Sequence, residues 1–333
     1  MSVLVIAEAG VNHNGDLALA RQLVDVAAQA GADVVKFQTF SADRLVTAAA
    51  RQADYQTRNT GVEESQHAML KRLELSREAH LDLIARCREA RIEFFSTGFD
   101  LDSVDMLLGL GATRIKIPSG ELTNLPFLRH VGKVGREVIL STGMGTMAEV
   151  VAAVEALERA GTPRAKITVL HCTTNYPAAM PEVNLRAMAM MGDALGVRVG
   201  YSDHTVGIEI AIAAVALGAT VIEKHFTLDR ALPGPDHKAS LEPAELAAMV
   251  KGIRNVEIAL GSPEKKPSEA EIANRAVVRR SLVASRPIAA GELFSDANVA
   301  SKRPGTGLSP MRWDDLMGRK ATRAYAPDEA IEL

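Results

Sequence analysis

The sequence predicts a parallel (β/α)8 barrel followed by a smaller C-terminal module, and three observations carry that expectation. Eight short, β-branched runs alternate with Ala- and Leu-rich stretches whose apolar residues fall at helical spacing. The runs are apolar almost throughout, as parallel strands covered on both faces are. Each run ends in polar or reactive residues, and barrel chemistry gathers at the C-terminal strand ends, whereas an open doubly wound sheet confines it to one switch point. No G-x-G-x-x-G follows the first run, so the dinucleotide fingerprint of an open sheet is missing.

The predicted strands are 3–7, 33–37, 93–96, 114–118, 137–141, 167–171, 198–201 and 220–224. Between the first two, LALARQLVDVAAQA (17–30) carries a helical stripe and stops at Gly31, the pattern of a crossover helix. The second and third strands are separated by an excess of roughly 30 residues over the usual βα connection. This insertion, 41–76, reads equally as a lid over the site or as a decorative helical excursion. After Leu260 the polar, Pro-containing GSPEKKPSEAE marks the end of the barrel domain at 1–262 and an extended linker at 263–274. Residues 275–333 then read as short strands and turns, a module whose small core leans on another surface.

Composition narrows the function. The chain has 333 residues, 47% hydrophobic and 24% charged, which suits a large folded core. A net charge of −3 argues against a nucleic-acid partner, because phosphate neutralisation needs a broad basic face. An anionic substrate must therefore be met by local cations. Cys87 and Cys172 are the only cysteines, too few for a disulfide framework or a cysteine-based zinc site. No run approaches the ~20 apolar residues of a membrane span, and the N-terminal run meets Glu8 at once, so it reads as a strand and not a signal peptide. A cytoplasmic protein is expected.

The strand ends suggest the chemistry. His204 and His225 lie 21 residues apart, each at a strand end, which puts them on neighbouring strands about 5 Å apart. Two imidazoles so placed can chelate one divalent ion with its other positions open, and they also fit two unrelated hydrogen-bonding histidines. Lys36, Lys116 and Lys224, each flanked by apolar strand residues, are expected to converge on one cavity. There they would hold a phosphate and a carboxylate, pair internally with Glu8 and Glu223, or do both. Donors at Ser96, Thr97, Ser119, Gly120 and Ser202 would complete an oxyanion cage. Glu121, just after the fourth strand, reads either as a general base or as a carboxylate favouring the next helix N-terminus.

Long motifs then carry a specific resemblance. IAEAGVNHNGD (6–16), VVKFQTF (34–40), FFSTGFD (94–100), KIPSGE (116–121), LSTGMG (140–145), LHCTTNYP (170–177), GYSDHT (200–205), EKHFTLD (223–229) and GPDHKAS (234–240) are similar to the sialic acid synthase family. KRPGTG (302–307) resembles the family's small C-terminal domain, the antifreeze-like (SAF) domain. The resemblance runs in register along essentially the whole chain. It implies condensation of phosphoenolpyruvate with an N-acylated amino sugar and water, giving a nine-carbon keto sugar acid and phosphate. N-acetylmannosamine is the sugar first expected, with diacetyllegionaminate or pseudaminate synthesis as the alternatives.

The resemblance also implies roles. His204 and His225 would bind manganese or magnesium, and Lys36, Thr97, Lys116, Ser119 and Ser202 would contact phosphoenolpyruvate. Glu121 would handle the attacking water, and Asn59, Tyr176 and Asp236 would contact the sugar. Arg303 would enter the barrel of the partner in a domain-swapped homodimer. Thr174, with Asn175 beside it, stands where some relatives carry Asn, which puts that phosphoenolpyruvate contact in doubt. A metal-free Schiff-base aldolase using Lys116 or Lys224 is the competing enzyme class, and a non-catalytic glycan- or ice-binding protein is suggested by the tail alone.

Overall fold

Parallel strands buried on both faces can avoid raw edges only by closing, and eight of them do so here. A computed structural model of the protein describes residues 2–333. The strands are β1 (Leu4–Gly10), β2 (Val34–Thr39), β3 (Glu93–Gly98), β4 (Arg114–Ile117), β5 (Glu137–Ser141), β6 (Ile167–Cys172), β7 (Arg198–Asp203) and β8 (Val221–His225). They form a closed barrel in sequence order, with β1 pairing in parallel to both β2 and β8. The predicted barrel is the observed one. Several strands run two or three residues past their predicted ends, because the polar terminal residues still pair in the ladder: Glu8 lies opposite both Lys36 and His225.

The first crossover helix shows how local sequence sets the boundaries. Asp16 accepts hydrogen bonds from the amides of Ala18 (2.7 Å) and Leu19 (3.3 Å), satisfying orphan donors at the start of Leu17–Gln29. That helix buries Ala20, Leu23, Val24 and Ala27 against the strands, and Gly31 ends the unit with φ +81°.

Period-two alternation sorts the strand residues into two environments. Ile6, Val34, Phe95, Ile139, Leu170 and Val221 fill the barrel interior as one buried apolar layer. Two positions further along the strands the interior turns polar, with Glu8, Lys36, Thr97, Lys116, Ser141, Ser202 and Glu223 all buried. Residues of the opposite parity pack outward against the helices. At Gly200 the interior has no room for a side chain: a Cβ there would sit 2.4 Å from Val221 O and 2.7 Å from Leu170 Cδ2.

The 41–76 insertion folds into three short helices, Ala42–Leu45, Asp54–Thr60 and Gln66–Lys71. Chain contacts divide the protein into Met1–Gly261 and Ser262–Leu333. Where the sequence reading has an extended linker over 263–274, the second unit instead forms a helix at Glu269–Val278. Ser268 accepts from the amide of Glu271 (3.3 Å) and the Glu271 carboxylate accepts from the Ser268 amide (2.8 Å), a capping box strong enough to start a helix in polar sequence. Beyond it, β9 (Ser281–Ala284) and β10 (Val299–Lys302) pair antiparallel around a core that includes Leu282, Phe294, Val299, Tyr325 and Ile331. Among the described residues, no helix is long and apolar enough to cross a membrane.

The crowding at Gly200 makes a direct prediction. Gly200→Ala should destabilise the barrel by about 1–3 kcal/mol, the usual cost of overpacking a filled core, read as a lower chemical-denaturation midpoint. A midpoint equal to that of the wild type would mean that β7 and β8 have slack at this level.

Candidate active site

Directly above the apolar layer, four charged side chains from four strands meet inside the barrel. Lys36 Nζ lies 2.6 Å from Glu223 Oε2 and 2.9 Å from Glu8 Oε2. Lys116 Nζ lies 3.6 Å from Glu223 Oε1 and donates to Ser141 Oγ at 2.7 Å. Ser202 Oγ donates to Glu223 Oε1 at 2.9 Å. Glu223 is therefore the hub of the cluster. Burial alone would raise its carboxyl, but the ammonium groups of Lys116 and Lys36 overcome that and hold it well below the usual range. Burial pushes Lys36 down to about 7, against the opposing pull of Glu223, with Lys116 adding to the fall.

Two residues further along β8, and two beyond Ser202 on β7, His225 and His204 face the same interior, with ring centroids 5.6 Å apart. His204 Nδ1 lies 2.6 Å from Thr173 O. A carbonyl only accepts, so Nδ1 carries the proton and Nε2 keeps its lone pair. His225 Nδ1 is buried with no hydrogen-bond partner among the described residues. Gly10, at φ +55°, leaves room for this ring, since a Cβ there would lie 3.2–3.3 Å from His225 and Glu8 atoms. Burial pushes His204 down to about 4 and His225 well below its usual value, so both imidazoles are neutral. Neutral rings with an available lone pair are the metal-binding form, and these residues fit a divalent ion of the kind the resemblance implies. Among the described residues no third His, Cys, Asp or Glu completes a closed site, so remaining positions would fall to water and substrate oxygens.

Above the histidines lies a stack of rings. Tyr176 packs 4.2 Å from His204 and 5.8 Å from His225, and Tyr55 of the insertion stacks on Tyr176 at 4.9 Å. Asn59, on the same short helix as Tyr55, donates from Nδ2 to Pro235 O at 2.6 Å. The next residue, Asp236, is buried, and burial raises its carboxyl to about 6. Burial raises both phenols, helped by the Asp236 charge. The insertion thus lies over the barrel mouth and is tied to the loop after β8.

The structure brings Lys36, Lys116, Ser202, His204, His225 and Tyr176 into one continuous site, with Thr97 beside Lys116 in the ladder and Asp236 and Asn59 at its edge. Ser119 sits at the β4 end, its Oγ accepting from the Gly143 amide at 3.0 Å and lying 3.3 Å from Cys172 Sγ. The methyl of Thr174 lies against Gly143, and Asn175 is exposed. Glu121 follows in a single 3-10 turn; its Oε2 accepts from Asn124 Nδ2 at 2.5 Å, and it lines a cavity of about 480 Å³ with Arg44, Asp100 and Phe127. Arg303 belongs to the second unit, where it is exposed.

Two expectations are corrected by alternation. Lys224 cannot share the cavity, because Glu223 and His225 on either side of it point inward; it faces the helix layer and pairs with Asp203 at 2.7 Å. It is removed with this as a Schiff-base nucleophile. Ser96 likewise points outward, where its Oγ lies 2.7 Å from Thr39 Oγ1, which in turn bonds His80. Tyr55 was not singled out by the sequence reading. Tyr55 was within reach, since it sits four residues before Asn59 and so on the same helical face.

Comparisons with known proteins identify the family and the fold. The profile of the NeuB family matches residues 23–265, and that of the SAF domain matches 279–332. The N,N'-diacetyllegionaminic acid synthase of Campylobacter jejuni is 52% identical over 98% of this chain and 98% of its own. That of Legionella pneumophila is 48% identical over 96% and 90%. Among solved structures, the N-acetylneuraminic acid (sialic acid) synthetase of Leptospira borgpetersenii in complex with citrate is 34% identical, with a TM-score of 0.72 over 82% of this chain and 90% of that one.

The buried neutral imidazoles give the fold a defined pH response. His13, His204 and His237 are pushed down to about 4 by burial and His225 well below its usual value, whereas an unfolded histidine titrates near 6.5. Unfolding near pH 5 therefore takes up these four protons and releases the one held by Asp236, a net uptake of about three. The part of the stability carried by these histidines should be fully present above pH ~6.5 and fall as pH drops from there toward ~4. Denaturant titrations at several pH values measure this slope directly, and a flat profile would contradict neutral buried imidazoles.

Proposed function

This chain belongs to the NeuB family, and from that membership we propose that it condenses phosphoenolpyruvate with a 6-deoxy diacetamido sugar and water to make N,N'-diacetyllegionaminate and phosphate. The observation that carries the choice of sugar is the end-to-end identity, 52% and 48%, to two proteins named for that product. The relative named for N-acetylneuraminic acid stands at 34%. The N-acetylmannosamine expected from the motifs gives way to the alternative for that reason. The protein would work in the cytoplasm.

The arrangement of charge supports the chemistry. C3 of the enol forms a bond to the sugar aldehyde carbon, the oxygen of water goes to C2, and the C2–O bond to phosphate breaks. Lys36 and Lys116 would hold the phosphate and carboxylate, with Thr97, Ser119 and Ser202 as further donors, and Glu223 and Glu8 would face the positive charge developing at C2. Glu121 would take the proton of the attacking water. His204 and His225 would hold manganese or magnesium, which when bound supplies polarisation of the sugar carbonyl. Tyr176, Asn59 and Asp236 would orient the sugar. Arg303 would enter the barrel of a partner subunit and complete a domain-swapped homodimer.

Phosphate release from phosphoenolpyruvate tests the sugar. With manganese present, 2,4-diacetamido-2,4,6-trideoxymannose should exceed N-acetylmannosamine in kcat/KM by about tenfold or more, and chelator should abolish both activities until manganese is returned. Preference for N-acetylmannosamine would restore the neuraminate reading. Subunit mixing tests the assembly. Glu121→Gln should lower kcat with little change in KM, and Arg303→Ala should also be impaired. If sites are completed in trans, exchange between these two variants creates heterodimers with one intact site, and activity returns. If each chain completes its own site, the mixture stays as impaired as its parents.

A further inference from the structure

We propose that the buried ion pair between Asp203 and Lys224 is a positioning clasp that sets the spacing of His204 and His225, an inference that rests on the reading of those imidazoles as the metal donors. Each partner stands one residue before a histidine, and the two lie opposite each other as the last pair of the β7–β8 ladder. Both side chains are 0% exposed and their charged atoms are 2.7 Å apart. By alternation they occupy the helix-facing side of the sheet, while the imidazoles occupy the interior side.

The clasp extends past the end of the ladder. Asp203 Oδ1 accepts from the amide of Thr205 at 2.9 Å and from its hydroxyl at 2.8 Å, and Lys224 Nζ donates to Thr205 O at 2.7 Å. Thr205 is thereby held by its amide, its carbonyl and its side chain at once. His204 is bracketed between Asp203 and Thr205, so the clasp holds its backbone on the β8 side past the last β7–β8 pair, while its carbonyl accepts from the Ala178 amide at 2.8 Å on the other side. On the other strand, His225 directly follows Lys224, and its carbonyl accepts from the Leu241 amide at 2.9 Å. One ion pair thus ties together the two backbones that carry the two rings.

Stability alone does not account for such a pair. Two charges with no exposure to water lose their hydration, and an apolar pair of similar volume is often as stable. What the ion pair adds is direction: it fixes how the two strand ends approach each other.

The test removes the cross-strand link and leaves the rest. In the double variant Asp203→Asn, Lys224→Met, the amide oxygen can still accept from Thr205 and the methionine keeps the apolar stem. Lys224→Met alone would leave a buried carboxylate without its counter-ion, so the double variant is the one to measure. Manganese binding to the full-length protein without substrates, followed by calorimetry, should weaken about 10–100-fold, as when groups behind metal ligands are lost. Thr162→Ala, which loses the buried hydrogen bond to Gly132 O, is the control for instability as such and should keep wild-type affinity. Unchanged manganese affinity in the double variant, or an equal loss in Thr162→Ala, overturns the proposal. If the wild type binds no manganese, the metal reading fails and the ¹⁵N signals of His204 decide the clasp alone. Loss of the Nδ1–H tautomer in the double variant supports it, and retention overturns it.

Discussion

Two lysines buried inside a barrel must be neutralised before anything can be arranged around them, and the Glu223 carboxylate does this for both. An unpaired ammonium in that position would carry a heavy desolvation cost. With Glu8 as a second acceptor, the charges of the interior nearly balance before any substrate enters. The donors are therefore already paired and held in place within the interior. An anion that displaces part of this pairing exchanges one set of ionic contacts for another and need not order a flexible cavity, which is the structural meaning of preorganisation.

Alternation does the sorting that makes this possible. On β8 and on β7 with the residue just after it, Ser202, His204, Glu223 and His225 face inward, while Asp203 and Lys224 face the helices. The apolar layer below and the aromatic stack above confine the polar layer to one level of the barrel. The chemistry of the interior and the anchoring of the strand ends are thus written into alternate letters of the same short segments.

Much of this was legible in the sequence, for identifiable reasons. Strand existence and order follow from apolar runs and crossover helices, signals that are local and strong. The positions of Lys36, Lys116, His204 and His225 followed because each lies at a strand end. Lys224 was misjudged because flanking apolarity was read without parity, although its place between Glu223 and His225 contains the answer. The helix at Glu269–Val278 was hidden by polar composition, and its cap at Ser268 and Glu271 was the overlooked signal. Tyr55 could be placed on the face of Asn59 from their spacing, but its stack on Tyr176 is a long-range contact visible only in three dimensions.

The apolar layer has a further consequence, for traffic. Ile6, Val34, Phe95, Ile139, Leu170 and Val221 form a buried apolar floor to the polar layer, which makes the strand ends the way in. Whatever settles on Lys36 and Lys116 must pass the level of the histidines to get there and pass it again to leave. The deepest occupant is then the first in and the last out, and a molecule bound higher up acts as a stopper on it. With such a floor, depth alone would set the queue, the lower position filling first and emptying last.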